Sequence, residues 1–365
     1  MADIMIDKNL IHGITCSKRM LPDDANPAGN VHGGNILKMI EEAGYIITTR
    51  YCNKMMAKDA TADDISQLVP VQTALVRVER MDFLEPMYIG EVAEASAEIT
   101  YTAAHSLEVM VKVWAENIEK GTKRLTNEAH LWYVPCDTEC GKVATVPRMS
   151  YDTPNAEAEG RKRYLQQKEE RVLAPESLLS PSPPHSGDIS NNSPFTFPER
   201  YTVRYSQTTL SHLVTPSDCT MYGNVAGGVL MKLMDNCAGV VAAKHCHSNV
   251  VTACVDTIDF KKSARLSSLL TIQGRAVFTS SRTIEVELIV DAETMESFMT
   301  QSKIRAVQAY YTFVSLDKTR KTLPIEPLNL ISDGEKKRFE ERRLRYENRK
   351  ANRAKRKQLA EQSQL

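Results

Sequence analysis

The chain has 365 residues, and its 46 Lys and Arg residues are balanced by 46 Asp and Glu residues, so the formal net charge is zero. This length suits two domains with additional segments, and the balanced charge argues against nucleic acid as a partner. No apolar run approaches the length of a membrane span, and the acidic N-terminus is unlike a signal peptide, so we expect a cytoplasmic protein.

Composition and pattern divide the chain into five segments. The charged segments mix acids and bases at helical spacing, which favours solvated helices over surfaces for nucleic acid or anionic lipid. The segments are a leader at 1–12, a first domain at 13–150, a charged helix with a Pro/Ser-rich linker at 151–198, a second domain at 199–326, and a charged C-terminal helix or tail at 327–365.

Each domain is predicted to contain one long buried helix and several strands. In the first domain a short strand precedes a helix over 35–50, a polar loop at 53–67 follows, and the alternating pattern predicts strands at 74–83, 91–101, 107–114 and 131–134. The second domain repeats this order with a helix over 229–244. Antiparallel strands against one helix predict an α+β fold.

The clearest internal repeat is the segment Asn26 to Gly34, which recurs as Thr220 to Gly228 at a constant offset of 194 residues. Both segments end in a Gly-Gly pair just before a helix, where unpaired N–H groups can bind an anion. Gly-Gly also forms ordinary turns, so the motif alone is weak.

Both predicted helices carry an acid on an otherwise apolar pattern, namely Glu41 in the first and Asp235 in the second. A buried carboxylate is costly unless it is paired or used in chemistry. Salt bridges to Lys38 and Lys232 would be a structural explanation. The same arrangement in both copies, beside Gly-Gly, favours a reactive site.

Metal-binding patterns are weak. Cys136-x-x-x-Cys140 and His245-Cys246-His247 have no partner pair at zinc spacing. We therefore expect no metal, and the cysteines are expected to be free thiols.

The chain resembles the two-domain hotdog acyl-CoA thioesterases over residues from about 15 to 345. The first domain carries this resemblance in 22–26, 29–34, 40–44, 74–83 and 131–135, and the second in 216–220 and 231–235. The resemblance implies two hotdog domains, each an antiparallel sheet wrapped on a long central helix. It also implies a homohexamer, a trimer of double-hotdog chains, that hydrolyses fatty acyl-CoA. Coenzyme A is then part of the substrate, and no cofactor is expected.

The resemblance places catalytic sites where the two domains meet. It implies a working site formed by Asn26 and Asp235, and a degenerate second site at Thr220 and Glu41. Ala226 departs from the family, where a histidine precedes the second Gly-Gly, and Asn236 stands where an acid is usual. Since His32 is kept in the first copy, it is a possible supporting residue, with a structural role as the alternative.

Thioester hydrolysis needs a polarised carbonyl and an activated water. We expect the N–H groups around Gly33 and Gly34 to polarise the carbonyl and Asn26 to position the water or the thioester. Asp235 would act as general base or as nucleophile. Arg282 is a candidate for binding the phosphates of coenzyme A, with a solvated turn arginine as the alternative.

Two other functions fit the same fold. A hotdog hydratase or dehydratase would pair an acid with a histidine, for which His32 with Asp235 or Glu41 is available. A non-catalytic acyl-CoA-binding protein would explain Ala226 and the broken symmetry of the repeats. Retention of Asn26 and Asp235 favours hydrolysis over both.

Overall fold

The computed structural model describes residues 13–56, 69–139, 141–151, 153–173, 198–294 and 303–362, with side chains in the last helix described up to residue 351. The predicted leader at 1–12 lies outside these residues. So do nearly all of the Pro/Ser-rich part of the linker and most of the predicted polar loop at 53–67.

The first half of the chain forms one long helix and a set of antiparallel strands. Helix α1 is Gly33–Met56, so the glycine pair forms its first turn and the helix extends beyond the predicted end. The strands are β1 (Gly13–Arg19), β2 (Val71–Val78), β3 (Met81–Asp82), β4 (Val92–Thr102), β5 (Leu107–Asn117) and β6 (Thr122–Asp137).

A charged helix, α2 (Pro154–Leu173), leads towards a second unit of the same design. That unit has a one-turn helix α3 (Val203–Ser206) and a long helix α4 (Gly227–Cys246). Helix α5 (Asp333–Gln362) follows it. The strands are β7 (Thr208–Leu213), β8 (Asn249–Val255), β9 (Ile258–Phe260), β10 (Leu269–Thr279), β11 (Thr283–Glu293) and β12 (Ile304–Leu316).

The strands of both units join in one twelve-stranded sheet. The first unit has the order β1-β4-β5-β6-β2, and the second has β7-β10-β11-β12-β8. Two antiparallel pairings connect the units: Arg77 of β2 faces Asp259 of β9, and Asp82 of β3 faces Cys254 of β8. Because β8 and β9 are the counterparts of β2 and β3, each pairing joins one strand to the counterpart of its neighbour. The predicted α+β fold of two hotdog units is confirmed.

Each long helix buries a stripe of apolar side chains, as the apolar pattern of its sequence predicts. In α1, the side chains of Ile36, Ile40, Ala43 and Ile47 are at most 3 % exposed. On β4 the residues facing this helix are small, with Ala93, Ala95 and Ala97 all buried. Small residues on the sheet let the helix lie close to it, so the concave face of the sheet wraps around the helix.

The two long helices touch each other through their glycine pairs. A Cβ atom on Gly34 would lie 2.9 Å from the Cα of Lys232 in α4. A Cβ atom on Gly228 would lie 2.9 Å from the Cα of Lys38 in α1. Only glycine permits this approach, which brings the N-terminus of each helix against the middle of the other.

The charged helices α2 and α5 are partly buried on the sheet, although the sequence favoured solvated helices. Arg163 of α2 donates to the fully buried Glu108 at 2.8 Å. Arg342 of α5 is itself buried, and it pairs with Glu285 and with Asp256. Because a buried charge needs a partner, these pairs fix one face of each helix.

Within the described residues, none of the helices combines the length and apolarity needed to cross a bilayer.

Candidate active site

The carboxylate of Asp235 reaches from the second unit to the N-terminus of α1 in the first. Its side chain is 1 % exposed. The Gly34 N–H donates to Asp235 Oδ2 at 2.7 Å, and the Thr252 hydroxyl donates to Oδ1 at 2.8 Å. The unpaired N–H groups and the dipole at a helix N-terminus favour an anion. We call this junction the Asp235 seam.

His32 completes the polar surroundings of the carboxylate. Its Nδ1 lies 3.1 Å from Asp235 Oδ2 and 3.0 Å from the Gly34 nitrogen. Burial raises the pKa of Asp235 above its ordinary value, while the His32 charge and the bonds from Thr252 and Gly34 oppose that rise. The site therefore holds a carboxylate that is a stronger base than one in water.

Asn26 lies in the turn before α1, and the backbone of this turn fixes the conformation of the Asn26 side chain. The side-chain Oδ1 accepts from the N–H groups of Ala28 and Asn30, at 3.0 and 3.1 Å. With the oxygen fixed in this Asx-type turn, the amide nitrogen is left to donate. Asn26 lines both cavities that adjoin the Asp235 seam.

The structure changes the expected role of the glycine pair. The N–H groups of Gly33 and Gly34 were both expected to donate to a substrate carbonyl. The Gly34 N–H instead donates to the Asp235 carboxylate. Within the described part of the chain the Gly33 N–H has no acceptor and remains as the candidate donor. A Cβ atom on Gly33 would lie 2.9 Å from Thr252 Oγ1 and 3.1 Å from Asp235 Oδ2.

Two cavities meet at these residues. The first, of about 380 Å³, runs past Asp235, His32, Val240 and Phe313, and we call it the Val240 cavity. The second, of about 290 Å³, extends towards Tyr88, and we call it the Tyr88 cavity. Asn26, Gly33 and Thr252 line both, so a molecule with two arms would have its centre beside these residues.

The repeat builds a second junction around Glu41, which we call the Glu41 seam. Glu41 is buried, and the Gly228 N–H donates to it just as Gly34 donates to Asp235. Burial is the main reason that its pKa rises to about 7, with the charge of Glu42 adding to the rise and Gly228 and Lys38 opposing it. The contact between carboxylate and helix N-terminus is thus kept in both seams.

The other polar groups are missing from the Glu41 seam. Thr220 replaces Asn26 and its buried hydroxyl has no hydrogen-bond partner within the described residues. Ala226 stands where the first copy has His32. A Cβ atom on Gly227 would meet Leu75, whereas one on Gly33 would meet Thr252, so Leu75 occupies the position of Thr252. The structure therefore assembles the full polar set once.

The salt-bridge explanation for the buried acids does not hold. Within the described residues, neither Lys38 nor Lys232 lies within ion-pair distance of Glu41 or Asp235. Nor do the described residues contain a group of three or more His, Cys, Asp or Glu that could hold a metal.

Arg282 does not join the site. It is an exposed residue in the turn between β10 and β11, and its backbone N–H donates to Ser280 Oγ. It lines neither of the two cavities beside Asp235.

Thr252 is the residue that sequence reasoning missed. Alignment of the strands after each helix sets Thr252 against Leu75, and this polar-for-apolar difference was the available signal.

Comparison with known proteins identifies the family of both units. The family model described as the thioesterase superfamily matches residues 28–122 and 222–298, one stretch in each unit. A putative oleoyl thioesterase structure from Lactobacillus plantarum covers 84 % of this chain and 97 % of its own, with a TM-score of 0.50 and 10 % identity. At that identity the likeness shows the double-unit fold alone. The chain belongs to the thioesterase superfamily.

Curated relatives are similar over nearly the whole chain. The cytosolic acyl coenzyme A thioester hydrolase of Mus musculus is 50 % identical over 347 residues, covering 95 % of this chain and 85 % of that protein. The protein of the same name from Homo sapiens is 51 % identical over 335 residues, covering 92 % and 82 %.

Proposed function

We propose that this protein hydrolyses fatty acyl-CoA to a free fatty acid and coenzyme A at the Asp235 seam. The observation that carries the proposal is the buried Asp235 carboxylate, held by Gly34 and Thr252 where two cavities meet. The relatives' names agree with this chemistry.

We infer a task for each residue in the reaction from these contacts. The Gly33 N–H, with the positive end of the α1 dipole, stabilises the negative charge that develops on the carbonyl oxygen. The Asn26 amide nitrogen donates to the thioester or orients the attacking water. Asp235 removes a proton from this water while the water oxygen bonds to the carbonyl carbon. The C–S bond then breaks, and the sulfur leaves as the thiolate of coenzyme A.

We assign Asp235 as general base rather than nucleophile because both of its oxygens already accept hydrogen bonds. Donors on both oxygens disperse the negative charge, which weakens direct attack on a carbonyl. Proton transfer needs only one lone pair within hydrogen-bond reach of the water.

Release of free thiol from a panel of short to long acyl-CoAs tests the function. The wild type should release thiol, and Asn26→Ala should lose on the order of 10²-fold in kcat. Thr220→Ala is the matched control, because Thr220 takes the same position in the Glu41 seam, and its rate should stay near that of the wild type. Equal rates for Asn26→Ala and the wild type would contradict the assignment.

A hydratase is the second candidate because His32 lies 3.1 Å from the Asp235 carboxylate, as a hydratase would require. The two activities differ in product. A hydratase adds water to an enoyl thioester, which removes its ultraviolet absorbance and releases no thiol. Binding of acyl-CoA with neither change would instead identify a non-catalytic binding protein.

We also propose that the protein acts in the cytoplasm as a homohexamer of three double-hotdog pairs. The relatives' names support the cytoplasm, and the family resemblance supports the hexamer. Light scattering on the purified full chain gives the assembly mass directly, and a monomer at working concentration would overturn the hexamer.

A further inference from the structure

Another cavity lies on the opposite face of the sheet from α1, between α2 and the strands of the first unit. Neighbouring residues of β6 point to opposite faces. The Tyr133 hydroxyl donates to the backbone carbonyl of Glu41 in α1, whereas Trp132 lies in the wall of this cavity. The cavity has a volume of about 200 Å³ and shares no lining residue with the two cavities at the Asp235 seam. We call it the Gln167 cavity.

Gln167 brings a buried acceptor with nothing to accept into the wall of this cavity. The residue is 7 % exposed, and its Oε1 is buried without a hydrogen-bond partner within the described residues. A buried acceptor that has lost its water is unfavourable until a donor reaches it. The cavity therefore favours a ligand that can donate an N–H or O–H to Gln167.

The charges around the cavity favour a cation. Three carboxylates line it, those of Glu79, Glu108 and Glu170. Two guanidinium groups bind these acids: Arg163 in the wall pairs with Glu108, and Arg77 behind the wall pairs with both Glu79 and Glu170. Among these always-charged side chains one negative charge is left over, so an anion would be repelled.

Helices α2 and α5 occupy equivalent places on the two units, which shows how the second unit treats the same space. Arg163 and Arg342 bind equivalent glutamates of β5 and β11, so the two helices align at an offset of 179 residues. Gln167 then corresponds to Tyr346, whose ring packs on Phe278 with the ring centres 5.3 Å apart. An aromatic ring thus replaces the unpaired amide.

The same alignment identifies a cation that the first unit lacks. Arg349 takes the place of Glu170, and its guanidinium contacts Glu285 at 2.9 Å and Asp256 at 3.3 Å. The counterparts of these two acids in the first unit both line the Gln167 cavity. The first unit therefore keeps the two acids and leaves open the space that a guanidinium occupies in the second.

We propose that the Gln167 cavity binds a small organic cation, an alkylguanidinium or an alkylammonium. Its charged head lies between Glu79 and Glu108, where the second unit has its own guanidinium, and donates to Gln167 Oε1. A volume of about 200 Å³ accommodates such a head with a short alkyl chain, and the Trp132 ring gives that chain an apolar wall. The site is separate from the Asp235 seam and does not depend on the proposed reaction.

Three variants of α2 test this assignment. Glu170→Arg introduces the residue of α5, so a guanidinium of the chain itself fills the space, while Arg77 keeps its two other partners. Glu169→Arg is the matched control, because Glu169 is an exposed neighbour that does not line the cavity and the change of charge is the same. Gln167→Met removes the unpaired acceptor and nearly preserves the size of the side chain.

Ligand-observed NMR on the purified full chain at 0.15 M salt measures binding of butylguanidinium and butylammonium, with butylurea as an uncharged probe of the same shape. The wild type and Glu169→Arg should bind both cations with a Kd on the order of 1 mM. Gln167→Met should bind them roughly fivefold more weakly, and Glu170→Arg should show no binding. Butylurea should bind at least about tenfold more weakly than the cations.

Three results would overturn the proposal: no binding of either cation by the wild type, equal binding by the wild type and Glu170→Arg, or equal binding of butylurea and the cations. The Tm of each variant is measured first. Should Glu170→Arg fail to fold, Gln167→Met decides, and an affinity equal to that of the wild type then rejects the site. Thiol release plays no part in the measurement, so the result is independent of the proposed function.

Discussion

Replacement of the buried Glu41 by Gln is expected to stabilise the protein at pH 8 and to leave its stability nearly unchanged at pH 5. Glu41 is 6 % exposed and accepts from the Gly228 N–H, and a Gln side-chain oxygen can accept the same bond. Unlike Asp235, the carboxylate accepts no hydrogen bond from a hydroxyl group and has no histidine charge acting on it within the described residues. Ionised Glu41 is therefore held at a cost that the neutral amide avoids.

The magnitude follows from the pKa of Glu41, which rises from an ordinary value of 4.5 to about 7, chiefly through burial. Because each pH unit corresponds to about 1.4 kcal/mol, ionised Glu41 lowers the free energy of unfolding by on the order of 3 kcal/mol. The cost is absent below the unfolded-state pKa, develops between pH 4.5 and about pH 7, and is complete above that range.

Thermal unfolding of the wild type and Glu41→Gln at pH 5 and pH 8 measures this effect. The difference in Tm should be several degrees in favour of the variant at pH 8 and should shrink towards zero at pH 5. Glu42→Gln is the comparison variant, because Glu42 is the exposed neighbour on the same helix and its charge adds less than burial to the pKa of Glu41. Its gain in Tm at pH 8 should therefore be much smaller than that of Glu41→Gln. A Tm difference that is the same at both pH values would refute the linkage to Glu41 ionisation.

Two further predictions concern the Asp235 seam. Thr252→Val removes a donor from the buried carboxylate, so the pKa of Asp235 should rise and the acidic limb of the kcat/KM profile should move to higher pH by about one unit or more; an unmoved limb would mean that Asp235 is not the titrating base. Gly33→Ala places a methyl group 2.9 Å from Thr252 Oγ1, which should cost about 1–3 kcal/mol of stability and most of the turnover. Gly227→Ala, which meets the flexible end of Leu75, should keep its activity, and equal losses in the two alanine variants would count against a single working seam.

Much of the fold was readable from the sequence because it depends on local pattern. The apolar stripes of α1 and α4, the alternating strands and the repeat of the turn before each helix predicted the two units. The predicted positions of the helix ends were less accurate. The glycine pair lies inside α1, where the Gly34 N–H binds a carboxylate from the other unit, a contact that no local pattern contains.

The site was predicted in part for the same reason. Asn26, His32 and Asp235 stand out by comparison of the repeats and by resemblance to a family. Thr252 lies on a strand that reads as apolar, and only the approach of the units brings its hydroxyl to Asp235. The sequence shows Arg282 as a cation in a turn, but that turn lines neither cavity beside Asp235, whereas the turn that contains Arg320 lines one of them. Which turn faces a cavity is a tertiary property.

The most direct test of a single working site formed across two units is a pair of matched amide substitutions. Asp235→Asn and Glu41→Gln each neutralise one buried acid at equivalent positions, and thiol release is measured for both with one acyl-CoA at saturation. We predict a loss on the order of 10²-fold or more in kcat for Asp235→Asn and a rate close to that of the wild type for Glu41→Gln. Near-normal turnover by Asp235→Asn, or an equal loss in both variants, would contradict the assignment of catalysis to the Asp235 seam.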